Sequence, residues 1–265
     1  MSFLVGPVKL VVQHRAMLWL TTASDLRARY AGSFLGLVWM FLFPLIFLGV
    51  YAVVYLHVFR VSVPQFSPLE YVLLIFCGLV PFLAMAEAIS AGVGSVTSNA
   101  HLIKNTLFPI ELVPVKAVLA GQCGQFAGTL LLLGGLAWAG RLTWWALLLP
   151  VVWLLQLLFM IGAAWLSSSV NVFVRDLQQL VGVLLLALMI CSPIAFSAEM
   201  IPAGYGALFK LNPLYYFIVS YQDCLVMGRF PTQGCLWIAA GLAVACCCLG
   251  YWLFMRLKGV FADNV

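Results

Sequence analysis

Charge leaves the chain abruptly after Arg29. Residues 27–45 read RARYAGSFLGLVWMFLFPL: two arginines and a tyrosine run into small residues and then into unbroken apolar sequence. Six long apolar stretches can be marked out. Residues 33–59 carry no Lys, Arg, Asp or Glu. Residues 69–95 are interrupted only by Glu70 at the mouth and by Glu87. Residues 109–140 hold Glu111 and Lys116 near their start and then run clean, and residues 143–172, 177–196 and 234–255 are free of charge. A helix needs about 20 mostly apolar residues to cross a bilayer. The pattern therefore predicts an all-α polytopic membrane protein with six transmembrane helices.

The intervening segments carry their own patterns. Residues 7–28 mix Lys9, Gln13, Arg15, Thr22 and Asp25 with Val8, Val12, Trp19, Ala23 and Leu26. The apolar members share roughly one helical face, which predicts an amphipathic helix lying in the membrane interface. Residues 200–225 hold Pro202 and Pro213, with apolar pieces too short to cross. They predict two short helices broken at Asn212-Pro213 that dip back into the outer leaflet. Irregular backbone at that depth survives only where it lines protein or water. Residues 98–109 read SNAHLIKNTLFP. Ser98 and Asn99 suit a helix cap, and Leu102 and Ile103 suit a small helix offered to a soluble partner; a simple connector is the plainer alternative. With no repeat and no linker, residues 1–265 read as a single transmembrane domain.

Composition fixes the class. The chain is 65% hydrophobic and 8% charged, where a soluble domain carries about 25% charge. The net charge of +5 does not point to nucleic acid, because the cations sit beside the apolar runs. With both termini cytoplasmic, nine fall inside (Lys9, Arg15, Arg27, Arg29, Lys104, Lys116, Arg175, Arg256, Lys258) and four outside (Arg60, Arg141, Lys210, Arg229), as the positive-inside rule requires. His14 and Arg15 interrupt the first apolar run and no A-x-A-like site follows, which argues against a signal peptide. Of the eight cysteines, only Cys224 and Cys235 flank a segment expected to be aqueous, and free thiols are the commoner state in such surroundings.

Catalytic chemistry is hard to find. There is no phosphate-binding G-x-x-x-x-G-K-[ST] loop, no H-E-x-x-H and no Ser/His/Asp cluster, so no catalytic or metal-ligating residue is assigned and no cofactor is expected on this chain. Glu87 is the one acid placed deep in a span. At mid-bilayer an acid costs about 2.5–3.5 kcal/mol on insertion scales, so it should face the bundle interior, paired or protonated.

RYAGSFLGLVWMFLFPL, SNAHLIKNTLFPIELVP, SSSVNVFVRDLQQLV and LNPLYYFIVSYQDCL together resemble the successive signatures of the polysaccharide ABC exporter permeases: the Wzm-type O-antigen exporters and their capsule and teichoic-acid relatives. The resemblance runs in order from about residue 20 to residue 225, with Ile110 standing where relatives often carry a basic residue. It implies a type-2 ABC exporter permease in the bacterial inner membrane. Two copies of the chain would form the pore, and two copies of a separate ATPase, which holds the ATP and Mg, would bind beneath. Asn99, His101, Leu102, Ile103, Lys104, Asn105 and Phe108 would belong to the coupling helix (residues 98–108) entering that ATPase. Residues 200–225 would be gate helices at the outer mouth. The cargo implied is a glycan on polyprenyl pyrophosphate.

Such a cargo has three unlike parts, and the sequence offers something to each. Its lipid can stay in the bilayer. The pyrophosphate needs cations, which Arg27 and Arg29 can supply in paired form; as plain positive-inside anchors they would contribute about 1 kcal/mol each against anionic lipid. Sugars need a path that binds weakly everywhere, which aromatic faces provide. Candidate lining rings are Trp39, Phe43, Phe47, Tyr51, Tyr55, Trp165, Phe196, Tyr215, Tyr216 and Tyr221; Tyr51 and Tyr55 share a helix face at i, i+4. The competing readings are a type-2 permease for a drug or free lipid, and a membrane-embedded glycosyl- or acyltransferase. The last would need clustered His, Asp or Glu, whereas His14, His57 and His101 are scattered.

Overall fold

A computed structural model of the protein describes residues 2–58, 60, 66–99, 109–201 and 204–264, and among them the chain is helical with no strand. Two helices open it, α1 (Ser2–Gln13) and α2 (Arg15–Tyr30). One interfacial helix over residues 7–28 was expected; the structure has two, bent at His14. The reason is that each packs on a different span, α1 on the last and α2 on the third.

The first span is Gly36–Val58, a 3-10 turn followed by α3 (Trp39–Ala52) and a π-helical end. The second is in α4 (Pro68–Ser98), whose start is locked by a capping box: Ser67 Oγ accepts from Glu70 N–H, and Glu70 Oε2 accepts from Ser67 N–H. Pro68 at the first helical position costs nothing there, since its missing N–H would be unpaired anyway. Then come α5 (Leu112–Trp138), α6 (Leu149–Asn171), α7 (Leu177–Ile190), the short α8 (Gly206–Lys210) and α9 (Pro213–Gln222), and α10 (Cys235–Asn264).

Among the described residues, five helical segments are long and apolar enough to cross a membrane. The fifth stretch expected from the sequence, residues 177–196, is the exception. Its helix has 14 residues, about 21 Å, and gives way at Cys191 to non-helical residues ahead of Pro193. Those residues stay inside because Asn212 serves them. Its Nδ2 donates to the Cys191 carbonyl at 3.1 Å and to Ser192 Oγ at 2.8 Å, while its Oδ1 accepts from Leu214 N–H at 2.9 Å as the cap of α9.

The second span is the hub, touching α3, α5, α6, α7 and α9. Small residues permit the close crossings, as is usual where lipid removes the hydrophobic drive between helices. A Cβ on Gly162 of α6 would lie 2.5 Å from the backbone of Cys246 in α10, and one on Gly250 would lie 2.3 Å from the Gly162 carbonyl oxygen. At the end away from α2, Asp223 is 2% exposed and holds the turn that follows α9. It accepts from Arg229 Nε at 2.8 Å, Thr232 N–H at 2.8 Å and Thr232 Oγ1 at 2.7 Å. Gly228 makes that turn possible, at φ 62° in the left-handed region. Cys224 and Cys235 are both buried and free.

Candidate functional site

A cavity of about 420 Å³ lies where the C-terminal turn of α2 meets the first span, α4 and α5. Arg29 and Tyr30 enter it from α2, Trp39 and Phe43 from α3, Glu87 from α4, and Gln125 from α5. Arg29 Nη1 pairs with Glu87 Oε1 across the cavity. The side chains of the two are 52% and 34% exposed, so the pair is open to a visiting ligand. Burial opposes the charge on Arg29, but the Glu87 carboxylate outweighs it and holds the guanidinium above its ordinary value. The mid-span acid thus finds its partner on a helix outside the spans. No local pattern signals that pairing, because 58 residues separate the two.

Behind the cavity, Gln125 belongs to a buried polar knot. Its Nε2 donates to Gln156 Oε1 at 2.8 Å and to Tyr221 Oη at 3.0 Å, and the Tyr221 hydroxyl donates to Gln156 Oε1 at 2.6 Å. Gln156 Nε2 in turn reaches the Pro81 carbonyl at 3.3 Å. Hydrocarbon would leave these amides unsatisfied at a cost of several kcal/mol each; together they pin α4, α5, α6 and α9. Glutamines placed inside otherwise apolar runs were the signal that could have revealed the knot.

The candidate aromatics divide. Trp39 and Phe43 line the cavity with Arg29. Phe47 packs on Phe43 with centroids 4.9 Å apart, and Tyr51 stacks on Tyr55 at 6.0 Å and 9°. All five belong to the first span. Tyr216 and Phe196 are half-buried near the short helices; Tyr216 Oη donates to the Lys210 carbonyl at 2.9 Å, and Phe196 meets Phe209 edge-on. Trp165, Tyr215 and Tyr221 lie inside the protomer at 2% exposure or less. Trp165 Nε1 donates to the Glu111 carbonyl at 2.9 Å, and Tyr221 is held in the knot. These three rings bind elements together and present no face to a lumen in this conformation.

Arg27 is exposed and does not line the cavity. Asn99 ends α4, its Nδ2 donating to the Ser95 carbonyl at 2.8 Å. The other coupling candidates, His101, Leu102, Ile103, Lys104, Asn105 and Phe108, lie outside the described residues. Two ion pairs fix the α2 end of the bundle: Lys116 with Asp25 at 2.8 Å, and Lys258 with Glu111 at 2.6 Å. The first ties α2 to α5, so the helix carrying Arg29 is anchored one turn before the cavity.

Residues 16–226 match the ABC-2 type transporter family. Over 261 residues the chain is 28% identical to the O-antigen export system permease protein RfbA of Myxococcus xanthus, covering 97% of this chain and 98% of that protein. Two proteins of the same name from Klebsiella pneumoniae are each 27% identical, over 250 and 253 residues, covering 93% of this chain and 94% of each relative.

Proposed function

Because this chain belongs to the ABC-2 type transporter family, we propose that it is the permease subunit of an exporter that carries O-antigen, as a lipid-linked polysaccharide, out across the bacterial inner membrane. A separate ATPase subunit drives it, and the permease itself performs no covalent chemistry. The observation that carries this reading is the end-to-end similarity to relatives named O-antigen export permeases, 97% of the chain in one case.

The cavity supplies the physical side. It combines a half-exposed guanidinium with three aromatic rings beside a sparsely covered span. A pyrophosphate-linked lipid has a doubly suited headgroup: its oxygens accept charge-assisted hydrogen bonds from Arg29, and its polyprenyl chain remains in the bilayer next to α3. Trp39, Phe43, Phe47, Tyr51 and Tyr55 then form an aromatic track along the first span, on which sugar C–H faces can slide. The first span is 6% buried within the protomer, so a second copy facing it completes the conduit. The cytoplasmic side is the one with α1 and α2, and residues 98–108 meet the ATPase there.

Deletion tests the reading. Strains lacking this gene, and separately the gene of its ATPase, should lose surface glycan and accumulate lipid-linked glycan inside the cell. Normal surface glycan in both strains overturns it.

A further inference from the structure

The α2 end of the bundle holds a second cavity, of about 700 Å³, which the headgroup reading leaves unused. It opens where the last turns of α4 meet the end of α6 and the start of α7, and Ser90, Gly94, Thr97, Asn171, Arg175 and Gln178 line it. The first cavity is built from rings and an ion pair; this one is built from hydroxyls and amides around a single guanidinium. Asn171 is 2% exposed, and its Nδ2 donates to Thr97 Oγ1 at 3.5 Å, while its Oδ1 is buried with no hydrogen-bond partner. A buried acceptor left without a donor is costly, and a ligand hydroxyl would supply the missing proton.

The placement of this cavity matters as much as its lining. Glu87, Ala91, Gly94 and Ser98 follow one another at spacings of three and four, with Ser90 beside Ala91, so they share one stripe of α4. Glu87 belongs to the first cavity and the rest to the second. From Glu87 to Gly94 is about 10 Å along the helix axis. Trp39 and Phe43 line the first cavity from the first span, partly exposed on the protomer's surface, whereas the second lies at the last turns of α4. A headgroup seated at Arg29 would therefore send its lipid one way and its sugars the other.

We propose that this polar cavity binds the sugar residues next to the phosphate of the exported lipid-linked glycan, through their hydroxyl groups. The proposal rests on the export reading and deepens it. Sugar hydroxyls both donate and accept: Asn171 Oδ1 accepts a hydrogen bond, Arg175 and Gln178 Nε2 donate one, and the Ser90 hydroxyl does either. Among the described residues no aromatic side chain lines the cavity, so it offers fixed hydrogen bonds rather than a sliding surface. Such a site suits the sugars at the lipid-bearing end of a glycan, which need recognising once, and not a long chain that must keep moving.

The test uses the permease with its ATPase in lipid nanodiscs and two probes: bare polyprenyl pyrophosphate, and the same lipid carrying the first two sugars of the cell's own glycan. Gln178→Ala and Ser90→Ala remove solvent-facing groups and should leave the fold intact; Asn171→Ser removes the orphan acceptor. Each should weaken binding of the sugar-bearing lipid by about fivefold, the loss of one hydrogen bond, and leave the bare lipid unchanged. Arg29→Ala should weaken both probes alike, and its failure to do so counts against the headgroup reading alone. Equal loss on both probes in the Gln178 and Ser90 variants, or no loss on either, overturns the sugar cavity. So does intact lipid affinity with loss of co-purifying ATPase, which would make the cavity a protein-docking face. A wild-type complex that binds neither probe saturably overturns both readings.

Discussion

The first and second spans are nearly identical in mean hydropathy, 2.5 and 2.4, yet the first is 6% buried within the protomer and the second 72%. Apolar content therefore says that a helix crosses the membrane and nothing about what it faces. The second span is held from every side, by small-residue crossings and by the Gln156 contact to its Pro81 carbonyl. The first touches α4 and α5 along one face and leaves Phe41, Ile46 and Val50 exposed. Rigidity sits in one and availability in the other, and Arg29–Glu87 joins the two regimes at the cavity.

Four substitutions, two of them with a companion variant, can break or sharpen this contrast. The largest effect should come from Gly78→Val. A Cβ there would lie 2.9 Å from the backbone of Ile194, so the second span or the 191–197 segment must shift, at a cost of about 3 kcal/mol or more; thermal unfolding in detergent should show a drop of many degrees or no folded protein. Next is Gln156→Leu. It leaves Gln125 Oε1 without its donor and the Tyr221 O–H without its acceptor, a loss of about 1–3 kcal/mol per orphaned group, and Tyr221→Phe in the same chain, which removes the orphaned O–H, should recover part of it.

Arg29→Ala comes third. The pair it breaks is half exposed, so thermal stability should move by less than about 1 kcal/mol, while surface glycan in complemented cells should fall several-fold. Arg27→Ala, outside the cavity, should leave export near wild type. An equal effect of both would return the two arginines to the role of topological anchors. The smallest effect should be that of Gly49→Ala in the first span. Nothing lies within 4 Å of a Cβ placed there, and the helix gains up to about 1 kcal/mol from the better helix former. A destabilisation of the lone protomer as large as that of Gly78→Val would remove the contrast altogether.

The membrane class and all-helical nature were legible from the apolar runs, because hydrocarbon dictates both length and backbone satisfaction. The capping box at Ser67 was equally open to local reading. The partner of Glu87 was not: burial cost required that it be neutralised, but a contact 58 residues away is decided by how α2 docks on α5. The aromatic candidates failed to separate for a related reason. Trp165 and Tyr221 carry polar atoms that need partners in hydrocarbon, and both a lumen and a protein interior can supply them; the structure supplies Glu111 and Gln156 from inside the protomer. The shortness of α7 escaped the hydropathy pattern because Cys191, Ile194, Ala195 and Phe196 are as apolar as the helix before them, and Pro193 alone marks the stop.

That shortness has an effect beyond α7. Its helix reaches about 21 Å, while a bilayer's oily layer is about 30 Å deep, and the stretch after it is polar backbone fed by Asn212. Ser192, Ile194 and Ala195 of that stretch are buried in the protein, so at this corner roughly the last third of the oily layer's depth is closed by folded loop and not by helix.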